Sequence, residues 1–264
     1  NPVCSPARVS LMTGRFPGYF KDRKGNVPRT NGQCMGIPQV SGEVKKTTIA
    51  AFLKKGGYEL AYGGKEHLPK SLTSRTLGFK NVTHNDRDKL AEGCAKFIKQ
   101  KHDKPYFLVA SFINPHDICY MALDGLTFDN PKYPAGKKLK FAQRRLEEVL
   151  KLPEGVSEKE FFAKHCPPLP ENFEPQLGEP KAINKYLKAS RGKSFRMRAR
   201  TDYTEKDWRL HRWAYHRLTE VVDRQIQQLL DALKESGAEE DTIVIFSSDH
   251  GDMSASHRME HKSF

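Results

Sequence analysis

The chain has 264 residues, with 45 Lys and Arg against 32 Asp and Glu, a formal charge of +13. Hydrophobic residues at 37% and aromatic ones at 10% are enough for a packed core and exclude a wholly disordered chain. At roughly 100–200 residues per domain, the length suits one large domain or two small ones, and no run of about 18 apolar residues is present to cross a membrane as a helix. Five cysteines (Cys4, Cys34, Cys94, Cys119, Cys166) are too few and too scattered for a disulfide scaffold, and none forms a C-x-x-C pair of the zinc kind. The basic surplus is compatible with nucleic acid, anionic surfaces or acidic substrates, and does not choose among them. The opening Asn1-Pro2-Val3 has no initiator Met and neither region of a secretory leader, and it reads as a cut terminus.

In chain order, residues 5–14 predict a short helix with Ser5 as N-cap, Pro6 at the first helical position and Gly14 as C-cap. Residues 15–42, rich in Gly and Pro, read as loop. A helix over 46–55, with Ile49, Phe52 and Leu53 on one face, ends at Gly56-Gly57. A short strand over 58–62 follows, then a Gly63-Gly64 turn. Residues 87–101 predict a second helix with Leu90, Ala91, Cys94, Phe97 and Ile98 inward, and 106–113 form a continuous apolar run that marks a buried strand. Residues 117–206 break this rhythm with clustered prolines at 167, 168 and 170, and with a run over 181–200 that holds eight Lys or Arg and no acid. Residues 207–236 predict a long helix with an apolar stripe from Leu218 to Leu233, and 242–246 a second buried strand. Helices alternating with apolar strands predict an α/β sheet covered on both faces.

Sites in such sheets collect where strands end. Three loops in those positions are rich in His, Lys and Asp: Gly64-Lys65-Glu66-His67, Asn114-Pro115-His116-Asp117 and Ser248-Asp249-His250-Gly251-Asp252. Cys4 stands at a predicted helix start, where free N–H groups favour a thiolate or a bound oxyanion, and Arg8 lies one turn on. Asp249 and His250 are a hard and a borderline metal ligand.

Together these residues resemble the sulfatase family. Cys4-Ser5-Pro6-Ala7-Arg8, continuing into Thr13-Gly14-Arg15, is similar to the signature C-x-P-x-R followed by T-G-R. Three fixed positions alone recur by chance roughly once in 8,000 positions. Lys65-Glu66-His67 resembles the family's G-K-x-H loop, Asn114-Pro115-His116 its P-H loop and Ser248-Asp249-His250-Gly251 its metal loop. Ser256-His257 through Lys262 resembles the loop ending in a sulfate-binding lysine. The matches run in family order from residue 4 to 262, and 117–206 alone has no clear counterpart, so it reads as a basic insertion in one catalytic domain spanning 1–264.

The resemblance implies an alkaline-phosphatase-like, mostly parallel sheet with helices on both faces, here incomplete. It implies hydrolysis of a sulfate ester, on a sulfated small molecule or carbohydrate. Cys4 becomes formylglycine through a formylglycine-generating enzyme during maturation; the hydrated aldehyde attacks sulfur and its second hydroxyl expels sulfate. Cys4, Asp249 and His250 hold a divalent metal, Ca²⁺ or another. Arg8 and Lys65 stabilise the ionised nucleophile, His67 removes a proton in the elimination, and His116 and Lys262 bind sulfate and assist departure of the alcohol. His257 and His261 are of second rank. Many members carry Asn where His250 stands, which makes a change of metal conceivable. No nucleic acid partner is implied, and family analogy favours a periplasmic, secreted or lysosomal compartment.

Other readings of the residues stay open. His67 and His116 are also compatible with hydrogen-bonded structural histidines, Lys65 and Lys262 with solvated lysines, and Asp249 with a helix cap. The basic run is either a solvated face or a surface for a sulfated polymer. A phosphonate monoester or phosphodiester hydrolase of the same superfamily, or a non-catalytic polyanion-binding fragment, are the rival functions. The resemblance further implies an apolar strand ending in Asp-Asp upstream of Asn1 and a portion after Phe264, so the 264 residues alone are expected to bind metal weakly and to turn over no sulfate ester.

Overall fold

The structure is a computed structural model that describes residues 3–21, 40–127, 140–188 and 195–262, together with residues 25, 30, 31, 34, 35 and 129. The elements are α1 (Cys4–Thr13), β1 (Thr30–Asn31), β2 (Cys34–Met35), α2 (Gly42–Lys46), α3 (Ile49–Lys55), β3 (Glu59–Gly64), β4 (Lys80–Thr83), α4 (Leu90–Ile98) and β5 (Tyr106–Ser111). They continue with α5 (Cys119–Asp124), α6 (Lys140–Leu150), α7 (Glu158–Glu160), α8 (Lys181–Lys188), α9 (Phe195–Asp202) and α10 (Glu205–Glu235). The chain divides into two compact units, one of residues 1–113 and 223–251 and one of 114–222 and 252–262.

The first unit is α/β. Its three-stranded sheet has the order β4-β3-β5 and both pairings are parallel, with Tyr62 opposite Asn81 on one side and Val109 on the other. Residues two apart on a strand share a face. Leu60 and Tyr62 therefore join Val9, Met12, Val44 and Ala50 in one apolar cluster, which places α1, α2 and α3 on that face. On the other face a Cβ added at Gly63 would meet Leu90 and Cys94 of α4 at 2.9 Å. Leu108 packs there with Ile98, Ala232 and Leu233. This is the covered, mostly parallel sheet expected. Gly64 closes β3 at φ +90, and a Cβ there would sit 2.2 Å from the Ser111 carbonyl oxygen, so only glycine lets β3 and β5 approach at their C-terminal ends.

Two sequence expectations are corrected. The single helix expected over 46–55 is α3, from Ile49 onward: Lys46 instead ends α2, Thr47 and Thr48 separate the two, and Thr48 caps α3 by accepting from the Ala51 amide. The buried strand expected over 242–246 is not a strand: Ile243, Ile245 and Phe246 are 89%, 81% and 81% exposed. The apolar run has the composition of a central strand, but no described strand pairs with it, and β propensity without a neighbour leaves the backbone open.

The second unit is helical. Ile118 and Met121 pack with Leu146, Val149, Phe161, Leu210 and Leu218 in its main cluster, and Trp208 centres a second with Ala122, Ala199 and Ala255. The break expected over 117–206 thus contains real elements. Ser157 accepts from the Glu160 amide at 3.3 Å and starts α7, and Arg209 donates to the carbonyls of Phe162, Pro167 and Cys166 where the following turn ends. Of the basic run, residues 189–194 lie outside the described residues. Lys181, Lys185 and Lys188 are exposed on α8, whereas Arg200 pairs with Glu179 at 2.9 Å with both side chains 12% exposed. The stripe of α10 is buried at Leu218 and Leu233 and exposed at Leu230.

Candidate active site

Cys4 is the first residue of α1, two positions before Pro6, which the sequence suggested as the first helical residue. Val3 occupies the N-cap and no side chain caps the helix, so Ser5 is inside the first turn and buried. Gly14 ends the helix in the left-handed conformation, as expected. This start places Cys4, 1% exposed, at the positive end of the helix.

Two loops of the first unit meet it. From the segment after 242–246, His250 brings Nε2 to 3.0 Å from Cys4 Sγ. From the end of β3, Lys65 brings Nζ to 3.5 Å from the same sulfur. Arg8, one turn along α1, donates from Nε to Asp249 Oδ2 at 2.8 Å, and from one terminal nitrogen to the Lys65 carbonyl at 2.9 Å and to Ser111 Oγ at 2.7 Å. Burial alone would raise the Asp249 carboxyl, but Arg8, His250 and Lys65 outweigh it and hold its pKa below the usual carboxylate value.

Donor atoms of Cys4, Asp249 and His250 all lie within 4.8 Å of one another, a set that could hold a metal ion. The imidazole is suitably arranged. Its Nδ1 lies 2.7 Å from the Gly251 carbonyl, which only accepts, so in the neutral ring Nδ1 carries the proton and Nε2 turns its lone pair to the cluster. With Cys4 as the thiol, the donor set is one sulfur, one carboxylate and one nitrogen, which suits a borderline divalent ion; with an oxygen in place of that sulfur, the set becomes harder.

Five of the sequence-predicted residues, Cys4, Arg8, Lys65, Asp249 and His250, are therefore brought together. His67 follows on the same loop as Lys65 but is exposed, with a left-handed backbone at φ 48. Glu66 between them accepts from the Ser74 amide at 3.1 Å and from the Ser74 hydroxyl, tying the loop down.

His116 and Lys262 belong to the second unit, where both are neighbours of Cys119. His116 Nδ1 lies 4.0 Å from its sulfur. Burial holds the Cys119 thiol far above its ordinary range, with Lys262 pulling it down and Glu260, Asp117 and Asp252 pushing it up. Lys262 is 5% exposed and His261 2%, in a loop closed by the Met253 amide donating to the His261 carbonyl at 2.8 Å. His257 donates its amide to the Asn172 carbonyl and is anchored in that loop.

Sequence reasoning passed over two residues at the first site, Ser111 and Tyr62. The signal was present: each is a hydroxyl at or near the C-terminal end of an otherwise apolar strand.

The sulfatase family profile matches residues 1–263, and the chain belongs to that family. It is 24% identical over 280 residues to a Delta 4,5-hexuronate-2-O-sulfatase of Bacteroides thetaiotaomicron, covering 100% of this chain and 50% of that protein. An endo-4-O-sulfatase of the same organism is 27% identical over 272 residues, covering 98% and 49%. Among solved structures, a 2-O GAG sulfatase superposes with a TM-score of 0.65 at 21% identity, over 99% of this chain and 50% of that one, which is a likeness of fold. The chain spans about half the length of the curated relatives it matches.

Proposed function

We propose that this chain carries the nucleophile and metal loops of an enzyme that hydrolyses sulfate esters on a carbohydrate. The observation that carries the reading is the position of Cys4: first residue of a helix, inside the signature, 3.0 Å from His250 and 3.5 Å from Lys65. The relatives' names, a hexuronate 2-O-sulfatase and an endo-4-O-sulfatase, support a sulfated sugar as the substrate class.

A sulfate ester repels nucleophiles, so cations must offset charge on its oxygens as bonds change. Formylglycine at position 4 would supply a hydrated aldehyde as nucleophile, and a divalent ion held by an oxygen of that group with Asp249 and His250 would polarise the sulfate oxygens. The chain's own residues prepare that site. The Lys65 ammonium favours an ionised group at position 4. Arg8 keeps Asp249 ionised and aimed, and the Gly251 carbonyl holds the His250 tautomer. His67 as the proton acceptor of the elimination, and His116 and Lys262 as sulfate ligands that assist alcohol departure, take their roles from motif position.

The test is the intact mass of the peptide holding Cys4 in the full-length protein, with turnover of an aryl sulfate and an aryl phosphonate. An aldehyde mass, and sulfate turnover that disappears in Cys4→Ala through kcat, is the expected result. An unmodified Cys4 with no turnover would leave a polyanion-binding protein, and preference for the phosphonate would change the substrate.

A further inference from the structure

The geometry points to Tyr62 and Ser111 as positioning residues, two hydroxyls that set the Lys65 ammonium against Cys4 through the Lys65 main chain and Arg8. The inference rests on the sulfate-ester reading for its kinetic consequence, and on geometry alone for the positioning.

Residue 65 is held at both of its backbone groups. Its amide donates to the Ser111 carbonyl at 2.9 Å. Its carbonyl accepts twice, from the Tyr62 hydroxyl at 2.7 Å and from Arg8 at 2.9 Å. The same Arg8 nitrogen donates to Ser111 Oγ at 2.7 Å, so Ser111 holds residue 65 directly by its carbonyl and indirectly by its hydroxyl. Beyond this point the chain leaves the sheet, and His67 two residues on is exposed. The bonds therefore concentrate on the residue of this loop whose side chain reaches the Cys4 sulfur.

Tyr62 is well placed to fix something. Its ring is 1% exposed and packs edge-on against Phe79 at 5.8 Å, so the phenol cannot swing. The core itself needs only the ring, which phenylalanine would supply. The hydroxyl is the part directed at Lys65. Burial raises its pKa, so it remains a donor across the working pH range. A Lys side chain has four torsions, and anchoring its origin with three bonds removes the backbone share of its freedom.

The test uses the full-length enzyme with an aryl sulfate and the variants Tyr62→Phe, Ser111→Ala, Ser111→Thr and Lys65→Ala. Tyr62→Phe and Ser111→Ala are each expected to lower kcat about ten-fold with little change in KM or in thermal midpoint. Ser111→Thr, which keeps the hydroxyl, restores kcat. In the Lys65→Ala background, Tyr62→Phe costs nothing further, because its effect passes through Lys65. A full additional loss in that background, or wild-type kcat in Tyr62→Phe, overturns the proposal. A second readout does not need turnover. After reductive ¹³C-methylation, the Lys65 resonance, assigned by its absence in Lys65→Arg, should stand apart from the other lysines and move toward them in Tyr62→Phe and Ser111→Ala. If it does not move, the positioning role is wrong. If it moves while the wild-type enzyme leaves aryl sulfate untouched, the role stands and the sulfate-ester reading fails.

Discussion

Arg8 and Asp249 stand 241 positions apart in the chain, and their side chains meet at 2.8 Å with both largely shielded from solvent. One guanidinium thereby fastens the last loop of the first unit to its first helix, and the same group holds the Lys65 carbonyl and the Ser111 hydroxyl. The cluster is organised around a planar fork rather than around a single ion pair.

That fork is what a lysine lacks. Arg8→Lys keeps the charge but cannot reach Asp249, Lys65 and Ser111 together. In the full-length enzyme the substitution should lower kcat on an aryl sulfate by about 10²-fold, as for other preorganised charge-stabilising groups. Steady-state kinetics check this; near wild-type kcat would mean that charge alone suffices at position 8.

Gly64 and Gly57 both have positive φ, at +90 and +86, but only Gly64 faces a backbone atom. Gly57→Ala meets nothing within 4 Å and should cost about 1–2 kcal/mol, the left-handed penalty alone. Gly64→Ala must push β3 off β5 and should cost more than about 4 kcal/mol, enough to prevent soluble expression. Soluble yield of the two variants, with chemical denaturation wherever the protein is recovered, separates the effects, and equal yields with equal losses would refute the close-approach argument.

His211 is fully buried and, among the described residues, neither ring nitrogen has a hydrogen-bond partner. Burial pushes its pKa from 6.5 down to about 4. The native state thus binds this proton less readily than the unfolded chain. Its contribution to stability is complete above pH 6.5 and is lost as pH falls toward 4, by about 3 kcal/mol in all. Urea midpoints between pH 7 and 4 should fall, and His211→Leu should flatten part of that slope. An unchanged slope would place the acid sensitivity elsewhere.

Much of this was legible in the sequence because local signals agreed with the fold. Gly14 ended α1, the apolar run at 106–113 became β5 over its first six residues, and the inward positions of α4 were those of its 3.6-residue period. The Cys4 and Lys65 motifs met because one begins α1 and the other follows β3, while Asp249-His250 reach them through side-chain contacts with Arg8 and Cys4 rather than from the end of a strand. The helical content of 117–206 was obscured by prolines, although Phe141, Ala142, Leu146, Val149 and Leu150 carried a helical period. Segment 242–246 misled for the opposite reason: its composition states a preference for a pleated surface, and a strand also needs neighbours, which composition does not encode. The helix start at Cys4 was hidden because Val3 caps without a side-chain bond, leaving Ser5 as the more obvious candidate.

The open course of residues 243–250 has a consequence for how the site takes up a ligand. Among the described residues, none of these amides enters a backbone–backbone hydrogen bond, so their hydrogens should exchange with solvent almost as fast as in a free peptide, while those of β3 and β5 are protected. Among the described residues, Asp249 and His250 are therefore fastened by side-chain contacts with Arg8 and Cys4 and not by backbone pairing. A metal or anion that draws either residue away from those partners also releases the segment, and that cost subtracts from its affinity. Ligand affinity at this cluster would then follow the grip of Arg8 on Asp249 as closely as it follows the arrangement of three donor atoms.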